Sequence, residues 1–225
     1  MLEIENLNFS FSLSPVLNDL TLSLKPKETV ALIGASGSGK TTLLRLISGA
    51  LKPGSGKLIA PMPQSQAYMS QKDLLLPWRT VEANIALPLE LAGKTVSPER
   101  LHTLLDQLEL TPYRHRFPHE LSGGQYKRAM LARTLAPEKP LLLLDEPFSS
   151  LDLPLRDKLY GRLKSFSQAA TLLVTHDFRD AFTLADRILL LKNGQITQSW
   201  QIDPDKRENP SYIGTLFQEL KSAIS

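Results

Sequence analysis

The sequence predicts an α/β fold that carries an inserted helical lobe, and three observations predict it. The run Val30-Ala31-Leu32-Ile33 is apolar without interruption, as a parallel strand covered on both faces must be, and it passes straight into a glycine-rich turn and a helical pattern. Leu141-Leu142-Leu143-Leu144 repeats that character and ends in two adjacent acids, Asp145-Glu146. Between these runs, over residues 72–137, strand-like segments vanish and helix starts accumulate.

The elements follow in order. Residues 1–33 alternate short apolar segments with turn signals, Leu2/Ile4 and Leu7/Phe9/Phe11, then Leu20/Leu22/Leu24, before the buried run at 30–33; all of these read as strands. Leu43, Leu44 and Ile47 have helical spacing, and Gly49 stands where it can end that helix. Ser97-Pro98-Glu99 supplies an N-cap, a proline at the first helical position and an early acid, after which Leu101, Leu104, Leu105 and Leu108 share one face. Past Leu144 the pattern gives a helix near 154–168, a strand at 171–175, a helix over 178–185, and strands at 188–191 and 196–200 that turn at Asn193-Gly194. The remainder, 201–225, is expected to form little more than a short helix near 213–223. Residues 1–225 thus read as one domain, with a core at 1–71 and 138–200, a helical subdomain at about 72–137 and a short tail at 201–225.

Composition narrows the function. Hydrophobic residues make up 42% and charged residues 22%, with no long Gly/Ser-rich or Pro-rich tract, so the whole chain should fold. A formal net charge of +3 is too small to imply nucleic-acid binding through bulk electrostatics, and phosphate ligands must be argued locally. The absence of cysteine excludes disulfides, thiolate catalysis and cysteine-ligated metals. Met1-Leu2-Glu3-Ile4-Glu5 carries acids where a signal peptide needs positive charge, and the apolar runs are far short of the roughly 20 residues that span a bilayer. Any membrane role is therefore expected to go through a partner.

Three segments carry chemistry. Gly34-Ala35-Ser36-Gly37-Ser38-Gly39-Lys40-Thr41 fits G-x-x-x-x-G-K-[ST] and lies between a predicted strand and a predicted helix, the context that this phosphate-binding loop requires. Its glycines let backbone N–H groups approach phosphate oxygens, Lys40 reaches the outer phosphates, and the Thr41 hydroxyl can ligate Mg²⁺. At the end of the second apolar strand, successive side chains point apart, so Asp145 can serve Mg²⁺ while Glu146 polarises an attacking water. Leu121-Ser122-Gly123-Gly124-Gln125 opens a helix with Ala129, Ala132 and Leu135 on one face; Ser122 is a good N-cap, and the glycines expose amides at a second place suited to an anion.

Together with Ser150-Leu151-Asp152 and Thr175-His176-Asp177, these segments resemble the nucleotide-binding subunits of ABC transporters, in family order and over roughly residues 2–200. The resemblance implies a P-loop NTPase fold of the ABC type, with an antiparallel β subdomain, a RecA-like core and an inserted helical subdomain. It implies ATP as the nucleotide and Mg²⁺ as the cation. Carried over by position, Gly34 to Thr41 and Thr42 hold phosphates, Phe11 stacks on adenine, Gln71 senses Mg²⁺ and the transmembrane partner, and His176 attends the γ-phosphate. Phe9 is an equally available aromatic beside Phe11. Ser122, Gly123, Gly124 and Gln125 would reach the nucleotide of an opposite subunit, so that two copies close head to tail on ATP, with Asp152 at the seam.

Leu74-Leu75-Leu76-Pro77-Trp78-Arg79-Thr80-Val81 is similar to the segment that docks a permease in importers of the nitrate, sulfonate and taurine group, which includes systems for a pyrimidine precursor of thiamine. The resemblance therefore implies permease subunits, indirectly a substrate-binding protein, a peripheral place on the cytoplasmic face of the inner membrane, and no nucleic acid. The competing reading is a soluble ABC-type ATPase acting on ribosomes or nucleic acid; such proteins usually carry two cassettes or long coiled-coil insertions, and neither is seen here. Two departures from family pattern stand out: Tyr126-Lys127-Arg128 after the Ser-Gly-Gly-Gln element, and the short segment 57–71 with Pro61 and Pro63.

Overall fold

The computed structural model describes residues 2–12, 14–72, 75–95, 97–166 and 168–224, without the side chains of 162 and 164–166. Leu74, at the head of the permease-like segment, lies outside the described residues. In chain order the elements are β1 (Leu2–Phe11), β2 (Ser14–Leu24), β3 (Thr29–Ile33), α1 (Lys40–Ile47), β4 (Ser55–Ile59), β5 (Gln66–Met69), α2 (Val81–Leu91) and α3 (Pro98–Gln107). They continue with α4 (Gly123–Leu135), β6 (Leu141–Asp145), α5 (Leu153–Phe166), β7 (Ala170–Val174), α6 (Phe178–Leu184), β8 (Arg187–Lys192), β9 (Gln195–Gln201) and α7 (Pro210–Ile224).

The chain forms two compact units. The first comprises residues 1–66, 140–146 and 168–225. In it β2, β1 and β4 make an antiparallel sheet in that order, with Ile4 opposite Leu22 and Leu7 opposite Leu20, so the alternating leucines fall on one buried face. A larger sheet runs β6-β7-β3-β8-β9. Its first four strands are parallel, and β3, β6 and β7 are buried almost throughout, which is why they read as unbroken apolar runs. β8 and β9 pair antiparallel about Asn193 and Gly194, whose φ values of 51° and 78° are those of a type I′ turn. α1 buries Leu43, Leu44, Leu46 and Ile47, while Ala181 of α6, Ala185 just after it, and Leu216 and Leu220 of α7 close a core over Ala31, Ile33, Ile188 and Leu190. The tail differs from expectation: α7 starts at Pro210, three residues before the expected start near 213, and its Leu216 and Leu220 belong to the core.

The second unit comprises residues 67–139 and 147–167. The sequence reading grouped 147–167 with the α/β core, whereas this segment packs with the helices. Helical spacing announces a helix without saying which layer it joins. α2 is capped by Thr80, α3 by Ser97 with Pro98 at the first position, and α4 by Ser122 in a reciprocal pair with Gln125. Leu104, Leu105 and Leu108 are buried and Leu101 is half-buried. Both departures from family pattern find structural reasons. Arg128 is buried and its guanidinium donates to the carbonyls of Leu108 and Glu109 at 2.8 and 3.0 Å, satisfying the end of α3. The Tyr126 hydroxyl accepts from the Leu75 amide at 2.8 Å. Segment 57–71 passes from β4 through Pro61 and Pro63 and a single tight turn at 63–65 into β5, with Gln66 Nε2 bonded to the Pro61 carbonyl.

Candidate functional site

In the first unit, strands β3, β6 and β7 deliver their carboxyl ends to one place, the position where parallel sheets bind ligands. Residues 34–39 leave β3 and enter α1 with positive φ at Gly34, Gly37 and Gly39. A Cβ on Gly39 would stand 2.8 Å from Leu17 Cδ2, so only glycine fits that turn. The Lys40 ammonium folds back and donates to the carbonyls of Gly34 and Ala35, each at 2.8 Å. Burial pushes the Lys40 pKa down, opposed by the neighbouring Glu146 and Asp145 carboxylates.

The start of α1 is distinctive. Side chains cap every other α-helix among the described residues: Thr80, Ser97, Ser122, Asp152, Asp177 and Asn209 accept from amides of α2 to α7. Gly39, at the N-cap of α1, has no side chain to do so. The amides of that first turn are oriented outward beside an ammonium group, an arrangement that suits an anion.

The acids arrive from β6. Thr41 Oγ1 donates to Asp145 Oδ2 at 2.8 Å, joining the loop to the strand two places away in the sheet. Glu146 takes φ 53°, a left-handed conformation that costs a non-glycine residue about 1–2 kcal/mol, held here by its amide bonding to the Val174 carbonyl at 2.9 Å. His176 follows β7, and its Nδ1 lies 2.8 Å from Glu146 Oε1, so Nδ1–H donates to the carboxylate. The turn that presents His176 is tied from beneath: the buried Thr175 hydroxyl donates to Asp180 at 2.7 Å and accepts from the Asp177 amide at 3.0 Å. A cavity of about 490 Å³ borders the loop along Ala35 to Ser38 and continues past Val16 and Ile224, within the range of small-ligand sites.

The first unit thus brings together Gly34, Ala35, Ser36, Gly37, Ser38, Gly39, Lys40, Thr41, Thr42, Asp145, Glu146 and His176. Phe11, in the same unit, is 47% exposed and packs edge to face on Phe9 with ring centroids 4.9 Å apart. The second unit holds Gln71, which is exposed in a turn, the Ser122-Gly123-Gly124-Gln125 helix start, and Asp152. Gly124 stands close to Ser150, since a Cβ there would be 3.4 Å from the Ser150 carbonyl oxygen, and Asp152 caps α5 through the Leu155 amide at 2.9 Å.

Residues 17–149 match the ABC transporter family. The chain belongs to it. Aliphatic sulfonates import ATP-binding protein SsuB 1 of Pseudomonas fluorescens is 40% identical over 99% of this ABC transporter chain and 84% of its own length. Taurine import ATP-binding protein TauB of the same species is 38% identical, covering 92% and 84%. Among solved structures, the ATP binding subunit of an ABC transporter superposes with a TM-score of 0.85 at 27% identity over 98% of this chain and 99% of that one. The post-hydrolysis dimer of the cassette MJ0796 with ADP and Pi gives 0.81 at 27%, covering 90% and 99%. The fold of this ABC protein is therefore the ATP-binding cassette. Among its described residues no helix is long and apolar enough to cross a membrane.

Residue spacing missed the supports of this site. Thr175 and Asp180 carry a weak signal, a polar pair flanking His176 five residues apart. Asn84 had none: it sits fully buried in α2 and holds Leu76 at both amide and carbonyl, at 2.7 and 3.1 Å.

Proposed function

We propose that this ABC protein is the ATP-hydrolysing subunit that powers solute import by a transporter of the nitrate, sulfonate, taurine and thiamine-precursor group. It acts at the cytoplasmic face of a membrane through a separate permease, to which a substrate-binding protein delivers the solute. The uncapped start of α1, whose Thr41 reaches Asp145 beside Glu146, carries the reading. The import subunits named above support the solute class.

The amides of residues 36–42 and the Lys40 ammonium bind the phosphates, and Phe11 offers an exposed ring face to the base. Thr41 and Asp145 form an oxygen donor pair of the kind that a hard cation prefers, so these two would hold Mg²⁺; a part for Gln71 rests on the family resemblance alone. The cation would neutralise charge on the outer phosphates. The buried Glu146 accepts a hydrogen bond from the attacking water, and His176 keeps that carboxylate oriented through Nδ1–H. The products are ADP and phosphate. Ser122, Gly123, Gly124 and Gln125 act on the nucleotide held by a second copy, with Asp152 near the seam, so that ATP closes a homodimer and hydrolysis releases it.

Replacing Glu146 by Gln removes the base and keeps the side-chain shape. Nucleotide binding should persist, turnover should fall by about 10²-fold or more, and an ATP-loaded dimer should accumulate in size-exclusion chromatography with light scattering. Hydrolysis at the parental rate would remove Glu146 from the reaction. Purification of the tagged protein from its own membranes should bring down a permease; recovery with ribosomal particles or nucleic acid instead would replace the importer reading by the soluble one.

A further inference from the structure

α7 carries no recognised motif, yet it is fixed along its whole length. Ahead of it the Arg207 guanidinium holds the Thr183 carbonyl at 2.7 Å and Asp186 at 3.0 Å. Tyr212 OH accepts from the Asp203 amide at 3.1 Å, Glu219 accepts from Trp200 Nε1 at 3.1 Å, and Leu216 and Leu220 enter the core. From this fixed helix the Phe217 ring reaches Phe178, edge to face at 5.3 Å between centroids, and Phe178 in turn stacks on Phe182 at 6.4 Å. Phe178 is the first residue of α6, two positions after His176.

His176 itself has little to hold it. Its side chain is 73% exposed, and its one hydrogen-bonding neighbour among the described contacts is Glu146. The direction of the imidazole is therefore set by the backbone turn 175–178. Thr175 and Asp180 fix the inner side of that turn. The outer side rests on the seat of Phe178.

We infer that Phe217 is a positioning residue for His176: its ring sets Phe178, and through it the turn that aims His176 Nδ1–H at Glu146. The inference deepens the reading of His176 given above and rests on it for the catalytic consequence alone. An edge-to-face aromatic pair contributes by geometry as well as by buried area, so loss of the Phe217 ring lets Phe178 re-seat and the turn swing. The carboxylate contact is what favours the Nδ1–H tautomer of the imidazole; without it the ring relaxes toward the Nε2–H form that dominates in water.

The test uses the full chain labelled with ¹⁵N-histidine, in which four histidines contribute and His176→Gln identifies the relevant signals. At a pH where the imidazole is neutral, Phe217→Ala should move the His176 Nδ1 and Nε2 resonances toward the Nε2–H tautomer. It should also lower kcat for ATP about fivefold to tenfold with KM within twofold, the signature of a group misaligned in the transition state. Phe217→Tyr, which keeps the aromatic ring, should restore both. Glu219→Ala, on the far side of α7, removes the acceptor for Trp200 Nε1; it should alter neither and controls for general loosening of the helix. Unchanged His176 resonances in Phe217→Ala would overturn the inference whatever the rate. Shifted resonances with an unchanged kcat would uphold the positioning role and refute the part given to His176 in hydrolysis.

Discussion

Gly39 shows how much a single missing atom decides here. Its φ of 106° lies where L side chains rarely go, and an added methyl would press on Leu17 at 2.8 Å and on the Val16 carbonyl oxygen at 3.2 Å. Gly39→Ala should therefore cost about 1–3 kcal/mol, read as a lower midpoint in thermal unfolding, and should weaken ATP binding in a fluorescence titration. An unaltered melting curve would show that the turn accommodates a side chain. The residues of this loop were legible because their chemistry is local: glycine spacing, one lysine and one hydroxyl lie within eight positions. The bond from Thr41 to Asp145 was not read from sequence, which gave each residue separately to Mg²⁺; it joins positions 104 apart that only the sheet brings together. The bond from His176 to Glu146 spans thirty positions and exists because β6 and β7 are neighbours in register, a fact that no local pattern carries. Sequence gave Phe9 and Phe11 equal standing; the fold separates them by leaving Phe11 exposed.

At the scale of elements, helix beginnings were well marked. Ser97-Pro98-Glu99, Thr80 and Ser122 all cap as their residue types demand. The start of α7 carried an equally plain signal, Asn209 before Pro210, which the expected start near 213 overlooks. What spacing could not give was the grouping of α5, because an amphipathic helix declares that it has an apolar face and not what covers it. Tyr126 belongs to this scale, since it fastens the helix α4 to the loop that presents the 71% exposed Trp78. Tyr126→Phe keeps the packing and removes the acceptor for the Leu75 amide. Loss of one such bond, about 1 kcal/mol, should raise amide exchange in the peptide spanning Leu75 to Arg79 roughly fivefold by mass spectrometry, and unchanged protection there would mean that Asn84 alone holds the loop.

For the whole molecule, the two compact units divide the labour: phosphate loop, acids and histidine in one, the Ser-Gly-Gly-Gln helix start in the other. The parallel strands β3, β6 and β7 were legible because their apolar runs are unbroken, whereas β4 and β5, which have no such run, were not. If both units are used across a pair of copies, turnover per chain must fall on dilution below the dimer affinity. The double variant Ser122→Ala with Gly124→Val should abolish hydrolysis and leave ATP binding to the monomer unchanged, measured by equilibrium dialysis at low protein concentration. Turnover that is independent of dilution and survives in that variant would make each chain self-sufficient.

Among the described residues every α-helix but one begins with its own stopper, and the exception is α1. If the nucleotide completes that helix as proposed, the folded state is finished by what it consumes. Mass action then makes robustness track supply: a ligand at a hundredfold its dissociation constant adds about 2.7 kcal/mol. On that reading the chain resists unfolding best when nucleotide is abundant and grows easier to unfold when the site empties.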